Sequence, residues 1–392
     1  AYSQKNRRLC RMLTSLGHDV FFYASESSDV EEYCAGQPGK VTHVVTHSLA
    51  DIRADYGEGW NLDEYPSVGY DTGAHQFRHD WNEPPRPSTL KFRAACIEYI
   101  NAIKRPDDFL LLSQGHWHKP VADAVGLYLN CEPGIGYQGS IRGYFRVFES
   151  SYLQNFCYGS EAPFQSVNGG NYDRVIPNHF DPDDFEYSDR KEDYLLYIGR
   201  LIIRKGIVAA YKASEVLRMR LIIAGQGGHV DSRGYLVPND HTEFELPPGN
   251  WEYVGAVGIE ERKPLMAHAR ATMVLTDYLE PFAGTHIESM LSGTPSITTN
   301  FGVFPGTVVN GLNGWRCSTL DDIVWAVRKA PSLDPAAIRK SAERYLMDNV
   351  RWDYERWWDD LANVYDSAHG GPRQGYLHIR DEQPEWREKI TW

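Results

Sequence analysis

Apolar positions along this chain alternate between two periods, and the alternation sets out the elements. Leu9, Met12, Leu13 and Leu16 form a helical stripe over 2–16, which Gly17 stops before a strand at 20–24. A polar, turn-rich stretch follows over 25–87, with one strand at 41–46 and no element assigned over 56–87. An amphipathic helix at 89–103 leads to strands at 108–112 and 127–131, and a helix is expected to start within 146–152. The second half repeats the rhythm more regularly. Strands are expected at 194–198, 220–224, 251–254, 272–275 and 296–299, separated by helices at 207–219, 259–269 and 283–291. A turn and short strand over 308–316 and helices at 321–330, 335–347 and 352–367 follow, and 368–392 reads as a loosely attached tail.

Short buried strands alternating with helices define an α/β protein with parallel sheets, in which ligands gather at the carboxyl ends of the strands. The densest chemistry lies in the strand–loop–helix–strand unit over 271–299. Pro281 keeps Glu280 extended and suits a helix start, while Gly293 and Pro295 close the helix. Free amides around Ala283, Gly284 and Thr285 and the positive end of the helix dipole make an anion site. Glu280 and Glu288 flank it. Two carboxylates would repel a bare phosphate; they fit a ligand whose sugars on either side of a phosphate offer hydroxyls. The strand at 194–198 ends in Gly199-Arg200 and its loop in Lys205-Gly206, which brings two cations to the same edge. Arg200 offers a planar fork to phosphate oxygens and Lys205 a point charge, both suited to a diphosphate leaving group.

In the first half, the strand at 108–112 opens into Ser113-Gln-Gly-His116-Trp-His118, again at a ligand edge. Spacing does not choose between the two histidines. The stretch 132–139 reads as a glycine-rich, mobile loop carrying Gly134 and Tyr137. Asp181-Pro-Asp183 has a metal-binding pattern but sits in a proline turn, where an ordinary turn is the simpler reading, and no metal site is expected. The glycines of 225–228 lack the following helix that dinucleotide binding requires. A charged linker at 186–193 suits a hinge.

At 392 residues the chain is long enough for two domains. A net charge of −13 without a basic run argues against nucleic acid. No apolar run is long enough to span a bilayer, so contact with a membrane would be peripheral. Six scattered cysteines without a Cys-x-x-Cys pair suit a reducing, cytoplasmic setting.

Glu280-Pro-Phe-Ala-Gly-Thr-His-Ile-Glu288, followed by Met290, Gly293, Thr294 and Pro295, resembles the signature of retaining glycosyltransferases of family four. The spacing alone is weak, since Glu252 and Glu260 share it, but the full string is specific. The resemblance implies a GT-B fold, in which two Rossmann-like domains face each other across a cleft. Residues 1–182 would form an acceptor-side domain completed by the helix at 352–367, and residues 183–351 a nucleotide-sugar donor domain. In this family a first strand and loop precede the helix at 2–16; the chain begins at Ala1 without them, so either it is a truncated copy or its first sheet lacks that strand.

The same resemblance implies a sugar moved, with retention, from a nucleoside-diphosphate sugar to a carbohydrate or other hydroxyl acceptor, with neither metal nor cofactor. Glu288 would bind the ribose and Glu280 a donor-sugar hydroxyl. Phe282, Ala283, Gly284 and Thr285 would line the sugar and phosphate site. Arg200 and Lys205 would hold the diphosphate, and Val257 would help wall the base. His116 or His118 would lie near the anomeric carbon, with Gly134 and Tyr137 on the acceptor side. Two other classes share these residues: a nucleotide-sugar epimerase or hydrolase of the same fold, and a non-catalytic nucleotide-sugar-binding protein.

Overall fold

The computed structural model describes residues 2–56, 85–136, 140–141, 143–161, 170–239, 244–380 and 382–389. Tyr137 and residues 57–84 therefore lie outside the described part. The chain divides into two compact units. One runs up to His179 and resumes at Met347, and the other holds Phe180–Leu346.

The first unit opens with α1 (Tyr2–Ser15), β1 (Val20–Ser25), α2 (Val30–Tyr33), β2 (Val41–His47) and α3 (Leu49–Tyr56). It continues with α4 (Pro87–Ile103), β3 (Phe109–Leu111), α5 (Lys119–Val125), β4 (Leu129–Ile135), β5 (Phe145–Phe148), α6 (Ser151–Glu161) and β6 (Arg174–Val175). β1 and β2 pair in parallel, and β3-β4-β5-β6 form a second parallel sheet in that order.

Two local expectations change here. Residues 145–148 are a strand, not a helix start, because Phe145, Val147 and Phe148 favour a pleated, buried surface. The helix begins only at Ser151, where the Ser150 hydroxyl oxygen accepts from the Leu153 amide at 3.1 Å. Residues 132–135 likewise belong to β4 and not to a loop. Gly134, at φ +76°, lies where the β4–β5 register shifts, which lets glycine continue a strand that no other residue would.

The second unit is the more regular. It holds β7 (Tyr194–Ile198), α7 (Ile207–Leu217), β8 (Arg220–Ala224), the hairpin β9 (Gly228–Val230) and β10 (Leu236–Pro238), then β11 (Trp251–Gly255) and α8 (Ile259–His268). β12 (Ala271–Val274), α9 (Gly284–Leu291), β13 (Ser296–Thr299), α10 (Phe304–Thr307), β14 (Gly314–Cys317), α11 (Leu320–Lys329) and α12 (Pro335–Ala342) complete it. Six parallel strands lie in the order β11-β8-β7-β12-β13-β14. The chain thus steps outward from β7 to one side and then restarts at β12 on the other. That reversal is the topological switch point of a doubly wound sheet, the position at which such sheets bind ligands. Leu195, Leu221, Ile223, Met273 and Ile297 form the sheet's share of the core.

The single helix expected over 335–347 is broken after Ala342 by a short 3₁₀ turn, and α13 (Met347–His369) starts beyond it. α13 belongs to the first unit. Val350, Tyr354, Trp357 and Leu361, one helical face, pack with Leu9, Met12, Leu129 and Val147. The stretch expected to be a loose tail is docked instead. α14 (Trp386–Lys389) buries Trp386, whose indole N–H donates to Asp359 at 3.2 Å, and Arg380 pairs with the same carboxylate at 2.6 Å. Aspartates on the outer face of α13 hold that tail, a pairing that leaves no periodic signal in sequence. The charged stretch 186–193 lies inside the second unit and is no hinge between units. Lys191 ties it down, donating to the Ala267 carbonyl at 2.6 Å and the Thr294 hydroxyl at 2.8 Å.

Candidate functional site

The site of the second unit is built at its switch point. β7 ends at Ile198, and its loop turns back through a 3₁₀ turn over Ile203–Lys205. Gly206, at φ +81°, lets that loop press against the end of β12; a methyl group there would stand 2.1 Å from the Leu275 carbonyl oxygen. The Asp277 amide donates to the Arg204 carbonyl at 3.1 Å, so the two loops are joined across the switch. Gly225 makes a similar approach on the other flank, where a Cβ would lie 1.8 Å from the Gly199 carbonyl oxygen.

Within this frame Lys205 Nζ meets Glu280 Oε2 at 2.9 Å and donates to the Tyr278 hydroxyl, with the Tyr278 ring centroid at 4.8 Å. Glu280 is 7% exposed, so its pairing with Lys205 is partly shielded from water. Its backbone is clamped too. The Glu280 amide bonds the Tyr278 carbonyl at 2.7 Å, and the Glu280 carbonyl accepts from the Val303 amide at 3.1 Å. Gly302, at φ +65°, permits this approach: a Cβ there would be 2.9 Å from the Glu280 nitrogen. Burial raises the Tyr278 phenol, with Glu280 adding to the shift, while Arg200 and Arg204 pull it down by their charge. The Arg200 carbonyl is fixed by the buried Tyr197 hydroxyl at 2.7 Å.

α9 begins beside this cluster. Ala283, its N-cap, holds φ +63°, a conformation that an alanine adopts only under strain. Gly284 and Thr285 are half-buried at the helix start, where backbone N–H groups and the dipole favour an anion. Phe282 departs from expectation. Its ring is stacked on Phe180 at 6.2 Å and packed edge-on against Tyr345 at 5.9 Å, inside a buried cluster. Ala283 is buried as well, among Val274, Val303 and Phe304. Their side chains pack beneath the loop, and the partly open helix start is left to Gly284 and Thr285. Glu288 lies one turn on and pairs with Arg262 of α8 at 3.2 Å. Val257 is half-buried between β11 and α8. The site is thus organised around Lys205, Glu280 and Tyr278, with the Arg200 backbone fixed on the same loop as Lys205 and Glu288 held by its own cation.

The first-unit residues behave differently. His116 is exposed on a 3₁₀ turn over Gly115–Trp117. His118 stacks on Phe92 at 5.4 Å, and burial together with the charge of Arg93 lowers its pKa to about 4, so it is neutral at pH 7. Gly134 is buried; its carbonyl accepts from Lys5, which also pairs with Glu149. A side chain at 134 would collide with that ammonium, so packing already accounts for the glycine. Tyr278, Arg262, Tyr197 and Gly302 were not anticipated. Tyr278 carried a signal, standing two residues before Glu280, and Tyr197 acts locally, three residues before the Arg200 carbonyl it holds; Arg262 and Gly302 matter through contacts between segments far apart in sequence.

A parallel sheet with this strand order and a cation–carboxylate pair at its switch point defines a Rossmann-like domain suited to a phosphorylated ligand. Comparison with known proteins narrows that class. Residues 181–349 match the family described as Glycosyl transferases group 1, nearly the whole second unit. A glycogen synthase from Mycobacterium tuberculosis is 32% identical over 191 residues, 46% of this chain and 44% of that protein. An uncharacterized glycosyltransferase of Methanocaldococcus jannaschii is 30% identical over 190 residues, 45% of each chain. The chain thus matches less than half the length of these curated relatives. Among solved structures, Anabaena Alr3699/HepE in complex with UDP-glucose superposes with a TM-score of 0.57 at 12% identity, covering 91% of this chain and 95% of that one. At this identity the likeness shows the fold, and the chain has the two-domain, Rossmann-like GT-B fold.

Among the described residues, no helix is long and apolar enough to cross a membrane, and no group of three or more His, Cys, Asp or Glu side chains is arranged to hold a metal ion.

Proposed function

We propose that this chain transfers a sugar, with retention at the anomeric carbon, from a nucleoside-diphosphate sugar to a hydroxyl of a carbohydrate or other acceptor. The observation that carries the reading is the Lys205–Glu280 pair at the switch point, beside the start of α9. A diphosphate gathers negative charge as its bond to the sugar breaks. Lys205, Arg200 and the helix dipole supply fixed positive charge where that happens, which lowers the barrier without reorganisation at the moment of reaction. Glu280 is placed to accept a hydrogen bond from a donor-sugar hydroxyl while pairing with Lys205. Glu288, held by Arg262, suits the two hydroxyls of a ribose. In this reading the leaving phosphate assists deprotonation of the acceptor, and no metal or other cofactor takes part. His116 and His118 remain first-unit candidates for contact with the sugar.

The names of the matched relatives support starting with UDP sugars and glucan acceptors. Calorimetry against uridine, guanosine and adenosine diphosphates and their glucose conjugates should find one nucleotide bound, with diphosphate released once an acceptor is added. The product's anomeric configuration, read by NMR, should equal the donor's. Activity should survive dialysis against a chelator. Binding to none of the nucleotides would overturn the reading. Sugar released without an acceptor would assign a hydrolase in its place, and binding without turnover over a broad acceptor panel a non-catalytic binding protein.

A further inference from the structure

We propose that Tyr278 is a positioning residue for Lys205, holding its ammonium so that one N–H is aimed at the diphosphate of the bound donor. This rests on the donor-binding reading above. An ammonium is a rotating point charge with three donors and no preferred plane, so unlike a guanidinium it does not set its own orientation. Here Lys205 gives one donor to Glu280 Oε2 at 2.9 Å and one to the Tyr278 hydroxyl oxygen, which among the described residues leaves a single N–H for an incoming acceptor. The ammonium thus bridges the phenol oxygen and the carboxylate, and burial and the nearby Glu280 charge keep the Tyr278 phenol protonated. The three groups are fixed relative to one another by backbone. The tight turn from Tyr278 to Glu280 is set by the 2.7 Å bond between them, and the Asp277–Arg204 bond anchors that turn to the loop carrying Lys205. Tyr278 is half-buried, so its ring also shields one side of the ammonium from water while leaving the site open. Glu280 alone would hold the charge but not its direction.

The test compares Tyr278→Phe, which keeps the ring and removes only the hydroxyl, with wild type by calorimetry. The probes are the nucleoside diphosphate that wild type binds and the corresponding nucleoside. Loss of one hydrogen bond to a charged group predicts diphosphate affinity weakened about tenfold, with nucleoside affinity and the thermal midpoint unchanged. In a Lys205→Met background the same substitution should have no further effect, since it acts through the ammonium. Unchanged diphosphate affinity in Tyr278→Phe, an equal loss for the nucleoside, or an equal loss in the Lys205→Met background would each overturn the assignment while leaving the donor-binding reading intact. Absence of nucleotide binding by wild type would overturn both.

Discussion

At position 205 a single ammonium is shared between a carboxylate and a phenol, and its worth depends on how little water reaches them. Replacing Lys205 by Met should lower kcat/KM by on the order of a hundredfold, as expected for one preorganised charge facing a leaving group. The measurement is steady-state kinetics with the correct donor and acceptor. Ala283 makes a different point. A left-handed alanine is already strained by roughly 1–2 kcal/mol, and a β-branched side chain there is strained further. Ala283→Val should therefore be destabilising by at least about 1 kcal/mol in chemical denaturation. Sequence marked this residue as part of an anion-binding helix start but gave no sign of its backbone conformation, which the neighbouring loops impose.

Between elements, glycines set the distances. Gly302 brings the loop after β13 onto the backbone of Glu280, so Gly302→Ala should displace that carboxylate and lower turnover more than it lowers the melting temperature. Both are measured on the same protein sample. α13 carries a pH signature of its own. Burial pushes the Asp353 carboxyl up to about 6 from its ordinary 3.8. The native state then holds the more protons between those values, so this group's contribution to stability is full below 3.8 and is lost as pH rises through about 6. Asp353→Asn should flatten that slope and raise the melting temperature at pH 7. The six-stranded sheet of the second unit and the helices between its strands were legible because their periods are clean, whereas the short β9–β10 hairpin was not. Strand β5 was not, since Arg146 and Glu149 break the apolar run that would have announced it, and both are buried in the fold.

For the whole chain, the two units form one GT-B fold, and the first is closed by residues from the far end of the sequence. Trp386 is buried against α13, with Arg356 and Arg380 near its ring, so Trp386→Ala should be destabilising by about 3 kcal/mol, read in denaturant unfolding followed by circular dichroism. The sequence of this segment suggests a loose tail because a four-residue helix and scattered arginines have no periodicity to betray the docking. What the sequence determined by itself was local: hydrophobic period, turn-forming glycines and prolines, and the residue types gathered on 271–299. These follow from backbone propensity and side-chain chemistry, which act over a few residues. What only the tertiary structure decided was partnership. Lys205 with Glu280 and Tyr278, Glu288 with Arg262, and α13 within the first unit are each fixed by strand order and chain return. Side chains so far apart along the chain meet only when a sheet brings their loops to one edge.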